Sequence, residues 1–547
     1  FLFIWLLFIY KLRGAYFDSF RTNLQQSLEN DRISRKQILK ENTATSAIRI
    51  LHNGTEDEII NLLDRLGNYK IRNLKQNIIT LLNHESDRVK VAAIEQLYGY
   101  ERGTAYSKII DLIHSKSPQV VYKAMEYLLA HTNIKDEEVF KSYLSHERNS
   151  IANAALLCLS KVAGPNNSLA EKYQLDRRIE EKVRFQHKPE NILNREEVAE
   201  LLTTIGYARI PKYYSFITLH FNNKDPFVVK HAIKAAGRTS DGRFIEPIIQ
   251  FLDDDEFRKT AIKALKLYGS SITKVIMDKL KTESYSDSIK KQIPKVLESF
   301  STSYSVNVLL RLMRNKDVVI RLEASNSLNS LRMKELTLSV KQGRINKMIL
   351  RESRYYRDTL NAIATIQLGL EAEAHEEEHD DEIIERIVAR QNLIQTLNNQ
   401  LDYSLNCLFN LLSLKYDKTD VEVAYYGLKS EMKEAKVNAV EFLDNLLQLK
   451  LKNNVLPLIE YHIIDSDDRG LSSFQPTISN EKTVLLSLMK ARGKRIKLDV
   501  LNLIRHLNDK SYLSSISYLK NHKNEDVRFF YMKTAASLQT DYSVSAS

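Results

Sequence analysis

The chain has 547 residues, of which 43% are hydrophobic and 27% charged, so it is neither a disordered nor a low-complexity chain. Its 15 Gly and nine Pro are too few for a β protein with many turns. The net charge of +11 is modest for this length, Trp5 is the single tryptophan, and no nucleic-acid-binding motif occurs, so nucleic acid is disfavoured as a partner.

An apolar run, Phe1–Tyr10 (FLFIWLLFIY), opens the chain. Ten residues are about half of a membrane span, and no basic residue precedes the run as in a signal peptide. We interpret the run as the end of a transmembrane helix. Trp5 and Tyr10 would lie at the interface, and Lys11 and Arg13 would mark a cytoplasmic exit.

This interpretation assigns residues 1–45 to the end of a membrane helix and a connecting helix. It predicts a chain anchored in the membrane with its bulk in the cytoplasm. The alternative is a hydrophobic helix that docks on the first repeat.

A repeated helical pattern follows, and Asp87–Leu97 (DRVKVAAIEQL) is its clearest copy. Three apolar residues four positions apart share one helix face, and the pattern recurs in steps of 31 residues. A fixed period of this size predicts stacked helix–turn–helix units. In this first block, residues 46–165, the three apolar slots hold Val89, Ala93 and Leu97, then Val120, Ala124 and Leu128, then Ile151, Ala155 and Leu159.

A second block covers residues 206–335, with steps of 29, 32 and 31 residues. Between the blocks, the charged residues 166–205 are predicted to be a linker or irregular helices. The slots of the second block hold Val228, Ala232 and Ala236, then Phe257, Ala261 and Leu265, then Ile289, Ile293 and Leu297, then Ile320, Ala324 and Leu328.

Two strings, DPFVVKHA at 225–232 and DVVIRLEA at 317–324, together with Pro247 inside a first helix, resemble HEAT repeats of the short type. The resemblance covers most of residues 50–335. It implies an all-α fold, a HEAT-like α-solenoid that is a right-handed superhelix of helical hairpins. It also implies a role in binding proteins, as for most such arrays.

Residues 336–418 interrupt the period. Tyr355–Leu370 and Ile383–Leu414 are long helical patterns separated by an acidic turn. They predict an antiparallel helical hairpin that is inserted in the array or covers its side. Residues 419–547 return to short helices and are predicted to form a C-terminal HEAT-like block.

A second resemblance rests on the strings LFNLL (408–412), AYYGLKS (424–430), NAVEFLDNLL (438–447) and LPL (456–458). They resemble the cytoplasmic HEAT region fused behind the membrane domain in bacterial carriers of the ATP:ADP antiporter type, over roughly residues 350–460. The segment around 13–21 resembles the helix that follows the membrane domain in such fusions.

This resemblance implies a scaffold or regulatory region of a nucleotide-exchanging carrier. Such a region acts without catalysis, by contact with a protein partner or with the carrier's own cytoplasmic loops, and reaches the membrane through its N-terminal helix. ATP and ADP would concern only the carrier domain, so no transport residue is assigned here.

One string, His375-Glu376-Glu377-Glu378-His379, matches the HExxH pattern of zinc proteases. Eight of the twelve residues 371–382 are acidic and nothing apolar anchors the turn. We therefore interpret His375, Glu376 and His379 as part of a solvated acidic turn and predict no metal. The sequence has no phosphate-binding glycine loop, so no catalytic residue and no cofactor is predicted. Cys158 and Cys407 lie in apolar patterns and are predicted to be buried thiols.

A basic segment, Met489–Lys497, is a candidate contact with anionic lipid. The alternative is a solvated helix end. Its basic residues are Lys490, Arg492, Lys494, Arg495 and Lys497.

Two further functions remain open at this point. One is a free-standing HEAT-repeat scaffold, in which the apolar start is the docking helix. The other is a HEAT-type lyase or DNA glycosylase, for which the sequence supplies no placed catalytic group.

Overall fold

The structure is a computed structural model. It describes residues 43–67, 72–100, 104–131, 137–163, 168–186, 194–335, 340–374, 381–463 and 473–539. Within these ranges the chain is all-α and has no β-strand. The described residues form two compact units, an N-terminal unit (43–272) and a C-terminal unit (273–539). No helix in the described ranges combines the length and the apolar character that crossing a membrane requires.

The N-terminal unit is a succession of short helices joined by turns, five of which contain or adjoin 3₁₀ segments. The 3₁₀ segments are Arg72–Leu74, Leu81–Asn83, Pro211–Tyr213, Gly242–Phe244 and Gly269–Ser271. The α-helices are α1 Thr43–Asn53, α2 Glu56–Leu66, α3 Lys75–Thr80, α4 Asp87–Leu97, α5 Tyr106–Leu112, α6 Pro118–His131, α7 Glu137–Leu144, α8 Asn149–Ala163, α9 Ser168–Lys172, α10 Leu175–Gln186, α11 Arg195–Ala208, α12 Tyr214–His220, α13 Pro226–Thr239, α14 Ile245–Gln250 and α15 Arg258–Lys266.

The C-terminal unit combines short helices with one pair of long helices. Its 3₁₀ segments are Lys510–Tyr512 and Ser517–Asn521. Its α-helices, the first of which begins at the unit boundary, are α16 Ile272–Lys281, α17 Asp287–Leu297, α18 Ser303–Leu312, α19 Val318–Lys334, α20 Gln342–Ala374, α21 Asp381–Ser413, α22 Lys418–Leu428, α23 Lys433–Leu446, α24 Leu449–Ile463, α25 Glu481–Ala491, α26 Lys494–Leu507, α27 Leu513–Ile516 and α28 Glu525–Gln539.

The repeat pattern of the sequence becomes the buried face of the second helix in each helical hairpin. All slot residues of both blocks are buried except Phe257, which is half-buried. Neighbouring second helices pack side by side, α4 on α6, α6 on α8, α8 on α11 and α11 on α13. The prediction of an all-α HEAT-like solenoid is therefore confirmed.

Polar groups at the turns define where each second helix begins. The side chain of Asp225 accepts a hydrogen bond from the backbone N–H of Phe227 at 2.8 Å and caps α13. An arginine just inside a second helix also donates back to the carbonyls of the preceding turn. Arg258 donates to the Leu252 carbonyl at 3.0 Å, and Arg321 makes the equivalent bond in α19. These bonds satisfy carbonyls that the end of the preceding helix leaves without a partner.

Small residues bring the second helices of the N-terminal unit close together. A Cβ atom on Gly206 of α11 would lie 2.8 Å from the Cα of Ala235 in α13. A Cβ atom on Gly237 of α13 would lie 2.8 Å from the Cα of Ala264 in α15. Since real Cβ atoms do not approach a backbone this closely, glycine at both positions sets the spacing of the array.

The stretch 166–205 differs from the linker or irregular helices that its charge suggested. It contains α9, α10 and most of α11, and α11 packs on both α8 and α13. Leu175 and Ile179 of α10 are fully buried, whereas four of its charged residues are exposed, namely Asp176, Arg177, Glu181 and Arg184. The apolar stripe of this charged helix is narrow, so the hydrophobic pattern in the sequence was too weak to predict a packed helix.

The long hairpin consists of α20 and α21, each of 33 residues. Helix α20 begins at Gln342, well before the predicted start at Tyr355. The two helices are antiparallel, since Glu373 contacts Arg390 near one end and Glu352 contacts Ser404 farther along. Helix α21 also packs on α19, α22 and α26. The predicted hairpin is present, but it forms the centre of the C-terminal unit and does not lie on its side.

Polar side chains on α21 fix the helices around it. The guanidinium of Arg390, which is 4% exposed, donates to both carboxylate oxygens of Glu481 in α25 at 2.9 and 3.0 Å. One turn and a half farther on, the hydroxyl of Thr396 donates to Asp499 of α26 at 2.7 Å. Each contact fixes the register of one helix against α21 because its geometry admits a single alignment.

A buried ion pair joins α19 to the hairpin. Arg321 donates to both carboxylate oxygens of Glu352 at 2.7 and 2.8 Å, and their side chains are 1% and 2% exposed. The Ser404 hydroxyl of α21 donates to the same carboxylate at 2.6 Å. The guanidinium lies 4.4 Å from the centroid of the Tyr355 ring. The pair therefore connects three helices at a buried position, where each charge depends on the other.

The last repeat departs from its predicted register. In the string DVRFFYMKTA at 526–535, the four-residue spacing of the repeat predicts Val527, Tyr531 and Ala535 as the buried slots, but α28 buries Val527, Thr534 and Leu538. The hydroxyl of Thr534 donates to the Leu501 carbonyl at 3.1 Å and so brings this residue to the inner face.

Replacing Glu352 by Gln should lower the free energy of unfolding of the C-terminal unit by about 3–5 kcal/mol, because the Arg321 charge would stay buried without its counter-ion. The measurement is urea denaturation followed by circular dichroism. The control is the double variant Arg321→Met, Glu352→Met, which removes both charges and should lose less stability than Glu352→Gln. A loss below about 1 kcal/mol for Glu352→Gln would contradict the role of the pair.

Candidate functional site

Several residues singled out in the sequence lie outside the described residues. The membrane helix and the interpretation of the HExxH string as a solvated acidic turn therefore stay predictions. These residues are Trp5, Tyr10, Lys11, Arg13, His375, Glu376 and His379. Among the described residues, no cluster of three or more His, Cys, Asp and Glu side chains could hold a metal ion.

Two members of the basic segment are buried, which corrects their assignment to a lipid-contacting surface. Arg492 is 5% exposed and donates to the Tyr355 carbonyl and the Thr359 hydroxyl, both at 2.9 Å. Lys497 is 8% exposed, and its ammonium donates to the Met489 carbonyl. Arg492 directly follows α25, which packs on α20, and Lys497 lies in the first turn of α26, which packs on α21 and α25.

The other three basic residues remain accessible. Lys490 and Arg495 are exposed, and Lys494 is half-buried. Lys494 forms an ion pair with Asp526, and Arg495 forms one with Asp499 at 3.2 Å. Contact with anionic lipid stays a prediction for these three residues.

Both cysteines are buried free thiols, as predicted. Cys158 is 3% exposed and Cys407 is 0% exposed. Burial raises the pKa of both thiols above the usual range. Since the thiolate is the reactive form, neither residue is poised as a nucleophile.

One candidate site is a cleft of about 650 Å³ on the N-terminal unit. It crosses five successive second helices, α4, α6, α8, α11 and α13. We call this face the second-helix surface. Its charged and aromatic lining residues include Tyr122, Lys123, Arg195, Glu200, Phe227, His231, Lys234 and Arg238.

Cations stacked on aromatic rings organise this surface. The Arg238 guanidinium lies 4.6 Å from the centroid of the Tyr207 ring, and the Lys161 ammonium lies 5.8 Å from the same ring. At one edge of the cleft, the Arg195 guanidinium lies 5.3 Å from the centroid of the Phe227 ring. Such contacts hold long cationic side chains in place and leave their outer edges accessible.

Positive charge accumulates at the α13 end of the cleft. Burial, and then the charge of Arg238, lower the pKa of Lys234. Burial also lowers the pKa of His231, with Lys234 and Arg238 adding to the effect. The Nη1 atom of Arg238 is buried and has no hydrogen-bond partner among the described residues. An anionic group on a ligand at this end of the cleft would offset the local positive charge.

The opposite wall contains a half-buried chain of polar side chains. Asn153 donates to the Glu200 carboxylate at 3.0 Å, and Lys182 donates to the Asn153 side-chain oxygen. Burial raises the pKa of Glu200 to about 7. A second cleft of about 410 Å³ lies beside this chain. A raised carboxyl pKa occurs both in catalytic acids and in structural networks. Here the polar side chains connect three helices, α8, α10 and α11, as in a structural network.

Part of this site follows a periodic pattern in the sequence that lies beside the pattern of apolar slots. Lys161 and Arg238 each follow the third slot of their repeat by two residues, and Lys123 and His231 each precede the second slot by one. Equal positions in stacked repeats lie on one face of the array. The periodic analysis identified the buried face but not this neighbouring one.

Comparisons with known proteins give no close relative. No family model and no curated protein matches the chain. Among solved structures, one of Kap95p, described as inducing the switch loops of RanGDP to adopt the GTP-bound conformation, is 11% identical, with 91% of this chain and 74% of that chain covered and a TM-score of 0.25. A Kap95:Nup1 complex is 11% identical, with 90% and 72% covered and a TM-score of 0.24.

An engineered protein is 14% identical, with 74% of this chain and 99% of that chain covered and a TM-score of 0.21. At identities and TM-scores this low, the similarities carry no argument about partner or activity. The HEAT-like fold rests on the packing of the helices described above.

Replacing Lys497 by Met should stabilise the protein at pH 7 and have a smaller effect near pH 10. Burial lowers the pKa of Lys497 to about 8. Burial of the charged ammonium therefore lowers the free energy of unfolding below pH 8. This loss becomes smaller as the pH rises from 8 toward the usual pKa of lysine, because the buried amine is then neutral. Urea midpoints of both proteins across pH 7–10 measure the difference. Lys490→Met, at an exposed position of the same segment, should show no pH-dependent difference; an equal one would contradict the burial of Lys497.

Proposed function

We propose that this chain is a non-catalytic HEAT-like scaffold that binds a protein partner on the second-helix surface. The observation that carries the proposal is the cleft across five second helices, with aromatic rings and arginines stacked along it. Stacked repeats form extended faces of this kind, which suit a protein ligand better than a small molecule.

The composition of the surface supports a protein ligand. Tyrosine and arginine are enriched where protein interfaces concentrate their binding energy. Tyr122, Tyr207 and Arg238 are all half-buried, so each offers an apolar ring or stem together with a polar end. Ion pairs on the same face, such as Lys123 with Glu95 at 2.5 Å and with Glu126 at 3.2 Å, surround them with the mixed charge typical of an interface rim.

The double variant Lys234→Glu, Arg238→Ala should weaken partner binding about 30-fold, the effect of a hot spot of about 2 kcal/mol. Cross-linking and mass spectrometry in the native cell identify the partner and the helices that it contacts. Titration calorimetry with the purified partner then gives Kd for each variant.

Lys108→Glu is the control, since Lys108 is exposed on α5, away from the cleft. The control should bind with unchanged Kd. Cross-links that avoid the second-helix surface, or equal Kd values for the double variant and the wild type, would contradict the proposal.

We further propose that the scaffold serves a membrane carrier of the nucleotide-exchange type, as the cytoplasmic region behind its membrane domain. The support is the sequence resemblance over roughly 350–460 and the apolar run at the start of the chain. The partner would then be a separate protein or the carrier's own cytoplasmic loops. A free-standing scaffold is the alternative.

Alkaline carbonate extraction of membranes from the native cell separates these two proposals. A carrier-associated array should stay in the membrane pellet and be detected there with an antibody against the C-terminal unit. Release of the full natural protein into the supernatant would contradict the carrier proposal and leave the scaffold proposal in place.

A further inference from the structure

A groove of about 530 Å³ on the C-terminal unit differs from every other cleft described above, because its charged lining residues are all cations. It lies between α18 with its following turn and the first three turns of α20. No carboxylate lines it. We call it the arginine groove, after its six basic residues Arg311, Arg314, Arg344, Lys347, Arg351 and Arg354.

Helical spacing aligns the cations of α20. Arg344, Lys347, Arg351 and Arg354 follow one another at steps of three, four and three residues, so they share one helix face. At about 1.5 Å of rise per residue, the row is about 15 Å long.

The guanidinium groups are oriented by neutral acceptors. Arg344 donates to the side-chain oxygen of Asn307 at 3.1 Å. Arg351 donates to the Arg314 carbonyl at 3.0 Å and to the Tyr355 hydroxyl at 3.2 Å. Each arginine has five N–H donors, so these bonds fix the side chains while most donors remain available.

The six cations form no ion pair with any described carboxylate, which sets the groove apart from its surroundings. Nearby in the same unit, Lys291 pairs with Asp317 at 3.2 Å and Lys295 with Glu323 at 3.9 Å. Along α20, by contrast, like charges stand three and four residues apart, an arrangement that destabilises a helix. An anionic ligand would remove this repulsion.

We propose that the arginine groove binds an extended acidic segment of a protein partner; this inference rests on the scaffold function proposed above. Arginine matches a carboxylate with two parallel hydrogen bonds. A row of about 15 Å corresponds to four or five residues of extended peptide at about 3.3–3.6 Å each. Apolar parts of such a peptide would contact Met277, Leu310 and Met348, which also line the groove.

The lining disfavours single-stranded nucleic acid. Proteins that bind such strands stack successive bases on aromatic rings, and none of the groove's lining residues is aromatic. The nearby Tyr355 ring is covered by the guanidinium groups of Arg321 and Arg492, at 4.4 and 5.1 Å from its centroid.

The test measures binding of a fluorescein-labelled twelve-residue peptide of alternating Glu and Ala to the full chain by fluorescence anisotropy. A peptide with Gln in place of Glu is the ligand control. The variant is Arg344→Glu, Arg354→Glu, since both side chains are exposed and their reversal relieves the repulsion along α20. The control variant Lys450→Glu, Lys520→Glu makes the same charge change at exposed positions outside the groove.

We expect the wild type and the control variant to bind the Glu peptide with Kd values within twofold of each other, and the groove variant to bind at least tenfold more weakly. Binding should also weaken as salt rises from about 0.1 M to about 1 M, because the Debye length shortens from about 10 Å to about 3 Å. The thermal midpoint of the groove variant should not fall, so the loss would not reflect unfolding.

Three results would overturn the proposal. The first is no binding of the Glu peptide by the wild type. The second is an equal loss in the groove and control variants. The third is groove-dependent binding of tripolyphosphate, phosphatidylserine vesicles or single-stranded DNA without binding of the peptide. If the peptide fails while partner binding still depends on Lys234 and Arg238, the groove proposal falls and the scaffold function stands; if both fail, both fall.

Discussion

The C-terminal unit depends on a buried charge pair. Arg321 lies in the first turn of α19, a second helix of 17 residues, and Glu352 lies on α20, a helix of 33 residues. Because neither charge can remain in this interior alone, the pair fixes the last regular repeat against the hairpin. Ser404 extends the contact to α21, and Arg390 and Thr396 on that helix continue it to α25 and α26. A chain of polar contacts thus aligns helices that differ in length.

The N-terminal unit relies on close packing instead. Its second helices approach each other over Gly206 and Gly237, and their slots hold mostly alanine, leucine and valine. A stack of equivalent helices repeats its outer positions as regularly as its inner ones. Side chains such as Lys161 and Arg238 therefore come together on Tyr207 although 77 residues separate them. The second-helix surface is a consequence of the repeat.

The two candidate surfaces differ in which groups lie beside their cationic side chains. On the second-helix surface most cations have a carboxylate or an aromatic ring beside them, so the face is mixed and partly neutralised. In the arginine groove the neighbours are carbonyl, amide and hydroxyl oxygens, so the positive charge remains. The two proposed sites therefore differ in the chemistry that they would recognise, a folded protein surface on the N-terminal unit and an acidic segment on the C-terminal unit.

The sequence by itself determined the helical class, the period and nearly every buried slot, because the burial of a repeated helix face follows from spacing along the chain. It also located the long hairpin and the two buried cysteines. It could not determine which charged residues are buried: Arg492 and Lys497 look like Lys490 and Arg495 in a linear segment, and only the packing of α26 on its neighbours separates them. The tertiary structure likewise decided that the charged stretch after the first block is helical, that the hairpin lies at the centre of its unit, and that six cations from two separate segments share one groove. All three depend on contacts between residues distant in the chain, for which local periodicity carries no information.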